Sequence, residues 1–219
     1  MKKILFVSTR NPYSGRYSGD VIRSLKIINT LKKKFNVDVV YLTKKNSNLN
    51  DKNITSFIHP NFFFKILYCF ISLIKIKPIQ FGLFFSKDMK SYIQSVSHNY
   101  ELIFFQHIRA SQYLPEKFYG KTILDMGDLY SDNYKQTYKY LNFLNPLKYI
   151  YYIESIIVKK IESEIFSEFD KVLLFSKIEV EKSKKNFNQK VLKVDESVEK
   201  IYKKFSYSKK KNKILFVGN

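Results

Sequence analysis

The sequence predicts an α/β fold built on a doubly wound, mostly parallel sheet. Two observations carry that prediction. Short apolar runs rich in Ile, Val and Phe recur along the chain, and stretches of helical length separate them. The first run, Lys3–Ser8, leads through a glycine-bearing turn directly into a helix. A strand, loop and helix N-terminus in that order form either an anion site at the sheet edge or a bare structural pair.

Each element follows from local pattern. Lys3–Ser8 is a buried parallel strand, and Thr9–Gly19 is turn-rich. Asp20 is expected to cap a helix with apolar face Val21, Leu25, Ile28 and Leu31, closed by Lys32, Lys33 and Lys34 at its negative end. Val37–Leu42 is the second strand, Thr43–Asn53 a polar loop and Ile54–Ile58 a short third strand. Asn61–Phe85 is the most apolar region. Its Phe62–Ile74 run, with Lys65 inside and Lys75 and Lys77 behind, is too short and too charged to span a bilayer. It reads as a core helix, the preferred reading, or as a basic-aromatic element lying in a membrane interface. Pro78 breaks it.

Ser86 caps a helix to Val96, and Glu101–Gln106 is the next strand. Lys121–Asp125 follows as a strand, Met126 and Gly127 turn the chain, and Asp128 is expected to cap a Tyr-rich helix over Tyr130–Tyr140. A break at Asn142–Pro146 precedes a long helix, Tyr149–Phe166, with Ile150, Ile153, Ile157, Ile161 and Ile165 as its stripe. Asp170–Ser176 is a strand, Lys177–Asn188 a polar helix, and Lys190–Val194 a last strand before a lysine-rich connector, Glu196–Lys211. Lys213–Gly218 repeats Lys3–Ser8 nearly letter for letter, which suggests a second domain of the same kind.

Composition bounds the setting. The 219 residues are 45% hydrophobic, enough for one sizeable core. The opening Met-Lys-Lys is followed by too few apolar residues for a secretory signal. Cys69 is the one cysteine, so a reducing cytoplasm is the expected compartment. The net charge of +20, from 39 Lys+Arg against 19 Asp+Glu, favours anionic partners such as lipid head groups or phosphates. General lysine enrichment in an AT-rich genome explains the same excess. No zinc-finger or RNA-binding sheet motif is present, so nucleic acid is not an expected partner.

Three places carry possible chemistry. Gly19 and Asp20 stand where a ligand can approach backbone N–H groups, or they merely start a helix. Gly15 and Gly19 are four apart, so the dinucleotide fingerprint is missing and a nicotinamide cofactor is not expected. His107 and Arg109 lie just past a strand's carboxyl end. His107 suits a sugar hydroxyl or a proton, and Arg109 a phosphate or carboxylate. The structural alternative, favoured by the residues alone, is a histidine satisfied by backbone carbonyls and a solvated arginine. Asp125 and Asp128 could share a cation, but with no third ligand nearby one is expected to end a strand and the other to cap a helix. Ser176 lacks the glycines of a nucleophile elbow. His59 and His98 suggest nothing specific.

Several of these stretches, in order, are similar to those of a known family. Ile4–Tyr13 with Ser18, Gly19, Asp20 and Arg23 looks like its opening strand and acceptor-side loop. Lys77–Phe81, Gln106–Tyr113, Leu124–Ser131, Phe169–Ser176 and Ile214–Asn219 look like later blocks. The chain resembles the N-terminal half of bacterial GT-B fold glycosyltransferases, in the family-4-like group that builds lipopolysaccharide, capsule and exopolysaccharide. The resemblance implies a Rossmann-like acceptor-side domain over residues 1–195, a linker over 196–212, and over 213–219 the first strand of a truncated donor-binding domain. It departs from the family at Val194–Glu199, where a Pro-Asn-Gly-Val-Asp run is usual.

The implied activity is retaining transfer of a sugar from a nucleotide-diphospho-sugar to a glycan or lipid-linked acceptor, with no metal and no cofactor beyond the donor. It implies work in the cytoplasm, peripheral to an anionic inner membrane surface. His107 would touch the transferred sugar, the Gly19 amide would face donor phosphate or acceptor, Asp20 would line the cleft, and Arg109 would hold an anionic acceptor. Asp125 and Asp128 would lie on the substrate side. The chain alone is expected to be inactive. Other readings are a non-catalytic remnant, a basic membrane-surface module, or one half of a split transferase.

Overall fold

The structure, a computed structural model, describes residues 2–15, 18–44, 51–187 and 190–195. The expected linker, the repeated strand and the truncated second domain lie outside the described residues.

Seven parallel strands form one sheet. They are β1 (Lys3–Ser8), β2 (Asn36–Thr43), β3 (Ile54–Ile58), β4 (Leu102–Gln106), β5 (Lys121–Gly127), β6 (Lys171–Leu174) and β7 (Val191–Lys193). Their order is β3-β2-β1-β4-β5-β6-β7, a doubly wound Rossmann-like arrangement. The winding reverses between β1 and β4, which opens a crevice at their carboxyl ends. Register aligns those ends, with Ser8 beside Gln106 and Gln106 beside Asp125.

The helices are α1 (Gly19–Lys32), α2 (Phe62–Ile74), α3 (Ile79–Leu83), α4 (Lys87–Val96), α5 (Tyr130–Tyr140), α6 (Pro146–Glu168) and α7 (Lys177–Phe187). Strand alternation feeds two cores. Leu5, Val7, Ile103 and Phe105 face the larger one with α4 and α6, and Ile4, Phe6 and Phe104 face the smaller one with α1. Phe105 is fully buried against Phe169, and its truncation to Ala should cost about 3–5 kcal/mol. Among the described residues no helix is long and apolar enough to cross a membrane.

Several local expectations are corrected. Asp20 does not cap α1, because Ser18 holds the N-cap position and Asp20 sits in the first turn, drawn to Arg10. Asp128 does not cap α5, whose N-cap position is Leu129. Carboxylates from other helices serve that end instead: Glu162 of α6 accepts from the Ser131 amide at 3.0 Å, and Glu179 of α7 from the Leu129 amide at 3.3 Å. The long helix starts three residues early, at Pro146, because Asn145 accepts from the Leu147 amide and proline suits a first turn. Its 23 residues span about 35 Å, whereas the 7 residues of β5 span about 23 Å. Ile150 and Ile153, in the first half of α6, are exposed, while Ile157, Ile161 and Ile165 are buried. Asp170 folds its carboxylate back onto the Thr122 amide at 2.9 Å, and β6 starts only at Lys171.

The largest correction concerns α2. It is not a core helix. Ser72 is its one buried residue, and Phe63 and Phe70 are 72% and 60% exposed. Helical periodicity does not settle which side of α2 faces inward, since its stripe of large apolar residues faces out. That choice falls to Gly82 of α3: a Cβ there would stand 2.5 Å from the Cys69 backbone. The helices touch through this close approach, which turns Ser72 inward with Tyr68, Cys69 and Ile71 beside it and leaves Phe63, Ile66, Leu67, Phe70 and Ile74 outward.

Candidate functional site

The crevice at the β1–β4 switch point is built by a buried glutamine. Gln106 ends β4, and its Oε1 lies 3.2 Å from Ser8 Oγ and 2.6 Å from Ser24 Oγ. Its Nε2 donates to the Asp20 carbonyl at 3.3 Å. One side chain thus ties the first turn of α1 to the ends of β1 and β4.

Arg23, one turn along α1, reaches across to β5. Its Nε and Nη2 donate to the two Asp125 oxygens at 2.7 and 2.8 Å. The guanidinium lies 4.2 Å from the centre of the Phe175 ring. Asp125 is buried and committed to this fork, so it positions Arg23 and is not a free carboxylate. The expectation that it simply ends a strand is corrected on both counts, since β5 runs on to Gly127 and Asp125 holds Arg23.

His107 follows β4 with φ 68° and ψ 149°, a backbone region that is nearly glycine-only. Two hydrogen bonds hold it there. Its amide donates to the Asp125 carbonyl at 2.8 Å, and its carbonyl accepts from the Ala110 amide at 2.9 Å. Nδ1 lies 3.4 Å from the Tyr130 hydroxyl, while the buried Nε2 has no hydrogen-bond partner among the described residues. Burial, then the nearby Arg109 charge, pushes the imidazole down to about 3. The ring is neutral at physiological pH. It is not the backbone-satisfied histidine that the residues alone favour.

Gly19, Asp20, Arg23, His107, Asp125 and Asp128 line one cavity of about 190 Å³, closed by Gly127, Tyr130 and Phe175. Gly127 is needed at a shift in the β5–β6 register, where φ is +83° and a Cβ would press the Phe175 ring at 3.2 Å. Gly19 is different. A Cβ there meets nothing within 4 Å, so the fold does not require glycine at this position.

Five of the six residues singled out in the sequence thus converge here, and Arg109 does not. It is 7% exposed rather than solvated. Its Nε donates to Thr9 Oγ1 at 2.6 Å, and its guanidinium stacks 4.2 Å from the Phe84 ring. Burial lowers it to about 10, so it stays charged.

A larger cavity of about 460 Å³ adjoins this one at the ends of β2 and β3. Its lining includes Arg10, Asn11, Ser14, Ser18 and His59. Arg10 lines the larger space and its ion-pair partner Asp20 the smaller one, so the pair stands between them. Burial pushes the Asp20 carboxyl up, but hydrogen bonds from Ser18 and Arg10 outweigh it and the net shift is downward. His59 Nδ1 is buried without a partner among the described residues, and burial with the Lys65 charge lowers that ring to about 4.

Sequence reasoning missed Arg10, Tyr130, Phe175 and His59 as site residues. It noted Arg23 only as part of a motif. The Asp20–Arg23 spacing on α1 was a usable signal, since residues three apart share a helix face. The partners of Arg23 and Tyr130 lie far away in sequence and left none.

No protein-family model matches the chain, and a search of curated proteins found no match. Fold and site together define a Rossmann-like α/β domain with a polar, arginine-bearing crevice at its topological switch point.

Proposed function

We propose that this domain is the acceptor-side half of a GT-B type glycosyltransferase. In that reading it places an acceptor glycan against a sugar leaving a nucleotide diphosphate, in synthesis of cell-surface polysaccharide. The observation that carries the reading is His107. A strained, buried, neutral histidine with a free Nε2 borders an open cavity at the switch point, and such cost is retained where a ligand uses it.

The chemistry follows from charge. A neutral imidazole exchanges hydrogen bonds with a sugar hydroxyl and does not compete with phosphate for arginine. The Gly19 amide, in the first turn of α1, is one of the donors that the helix leaves unpaired, and Gly19 lines the smaller cavity. Arg23 presents a fixed positive charge beside it, held by Asp125. Sugar transfer passes through an oxocarbenium-like state, so alignment of the acceptor hydroxyl and preorganised charge supply the catalysis. The larger cavity falls in the usual range of ~300–1,000 Å³ for ligand sites and would hold the acceptor.

The test is calorimetric titration of the chain with a panel of nucleotide-diphospho-sugars and of oligosaccharides from bacterial surface glycans. At least one class should bind. Gly19→Ala and His107→Ala should each weaken it by tenfold or more without changing the circular dichroism. Binding that survives both substitutions unchanged, or no binding from either class, contradicts the reading.

A further inference from the structure

The face of α2 is mounted in the reverse of the usual sense. An amphipathic helix turns its apolar stripe to the core. Here Phe63, Ile66, Leu67, Phe70 and Ile74 share one face by their spacing, and every one is exposed. The inward side carries the buried Ser72 with the half-buried Lys65, Tyr68, Cys69 and Ile71. Gly82 fixes this orientation, because no residue with a Cβ fits against the Cys69 backbone.

The end of the helix repeats the theme. The Lys77 amide donates to the Ser72 carbonyl at 2.8 Å, and the Ile76 amide to the Leu73 carbonyl at 3.0 Å. That is a Schellman turn, whose left-handed position normally holds glycine. This chain places Ile76 there, with φ 51° and the side chain 58% exposed. A β-branched residue is an outlier in that region. At that exposure the side chain has little packing to offset the strain.

Charge selects what covers this surface. Every charged residue between Asp51 and Asp88 is a lysine. Lys75, Lys77 and Lys90 border a cavity of about 300 Å³ floored by Phe81 and Phe85. A second copy would set lysine against lysine. The stripe is also about 20 Å long and about 10 Å wide, far short of the roughly 800 Å² per partner of a stable dimer. An anionic bilayer suits both features: lysines meet lipid phosphate and the apolar stripe enters the head-group boundary.

We propose that α2 with Ile76 is an interfacial membrane anchor, which seats this domain on an anionic lipid surface. The anchor stands independently of the sugar-transfer reading.

Flotation with vesicles tests it. The chain should float with phosphatidylcholine vesicles containing phosphatidylglycerol and stay behind with pure phosphatidylcholine. Phe63→Ser with Phe70→Ser should lower binding more than tenfold while the thermal midpoint holds. Lys75→Glu with Lys77→Glu, which leaves the stripe intact, should do the same through charge. Ile76→Gly should raise the thermal midpoint and yet weaken binding, opposite signs that a purely structural isoleucine does not give. Equal binding to neutral vesicles, no binding to either, or a dimer dispersed by the serine pair would overturn the anchor.

Discussion

His107 carries two costs at once, a left-handed backbone and a buried ring nitrogen without a partner among the described residues. The backbone alone costs about 1–3 kcal/mol. Glycine adopts that conformation freely, so His107→Gly should leave stability to denaturant unchanged or higher while ligand binding is lost. A fall of several kcal/mol would make the histidine structural. Glu162 offers a pH test. Burial, against hydrogen bonds from Ser131, pushes its carboxyl up to about 7. The folded value lies above the ordinary 4.5, so the folded state loses stability as pH rises between those values, on the order of 3 kcal/mol in all. His107 opposes it: with a folded value of about 3 against 6.5, it adds stability as pH rises across that span. The clean readout is therefore a difference. The midpoint of Glu162→Gln relative to the natural chain should climb from about pH 5 to about pH 7.5. A constant difference would mean that the carboxyl titrates normally. Little of this is legible in sequence. His107 was visible as a residue past a strand end, but its φ angle is imposed by Asp125 and Ala110, and no glycine or asparagine marks the position.

Elements were legible in type and less so in mounting. Ser86 caps α4 as its sequence suggests, through the Met89 amide at 3.3 Å. Asp20 and Asp128 look equally good as caps, yet Ser18 holds the N-cap position of α1 and α5 is capped by carboxylates from α6 and α7. Local rules see the right residue type and cannot see a distant competitor. The same holds for α2, where composition gives a helix and Gly82, in another helix, decides which side is buried. Two substitutions separate these effects by denaturant unfolding. Ile76→Gly should stabilise by about 1 kcal/mol, because it relieves a left-handed β-branched residue. Gly82→Ala should destabilise by about 1–3 kcal/mol, because the added carbon has only backbone to displace. The opposite order would mean that the α2–α3 contact is loose.

At the scale of the molecule the sheet was readable strand by strand, because buried parallel strands are short apolar runs that little else mimics. Alternation of strand and helix gives the doubly wound class, while the strand order, and with it the location of the crevice, comes from the pairing of the strands. What the sequence withheld is which side chains meet there. Arg23 and Asp125, 102 residues apart, join only once β1, β4 and β5 stand in register. Two cavities at the carboxyl edge, divided by the Arg10–Asp20 pair, are the product of that register.

The most direct test of the crevice as the working site is amide-resolved NMR of the isotopically labelled chain, titrated with the nucleotide-diphospho-sugar or oligosaccharide that binds in calorimetry. The amides of Gly19, Asp20, His107 and Asp128 should shift together and saturate with one constant, with the amides of α7 unmoved. Shifts confined to α7, or spread evenly over the surface, would contradict a binding site at the switch point.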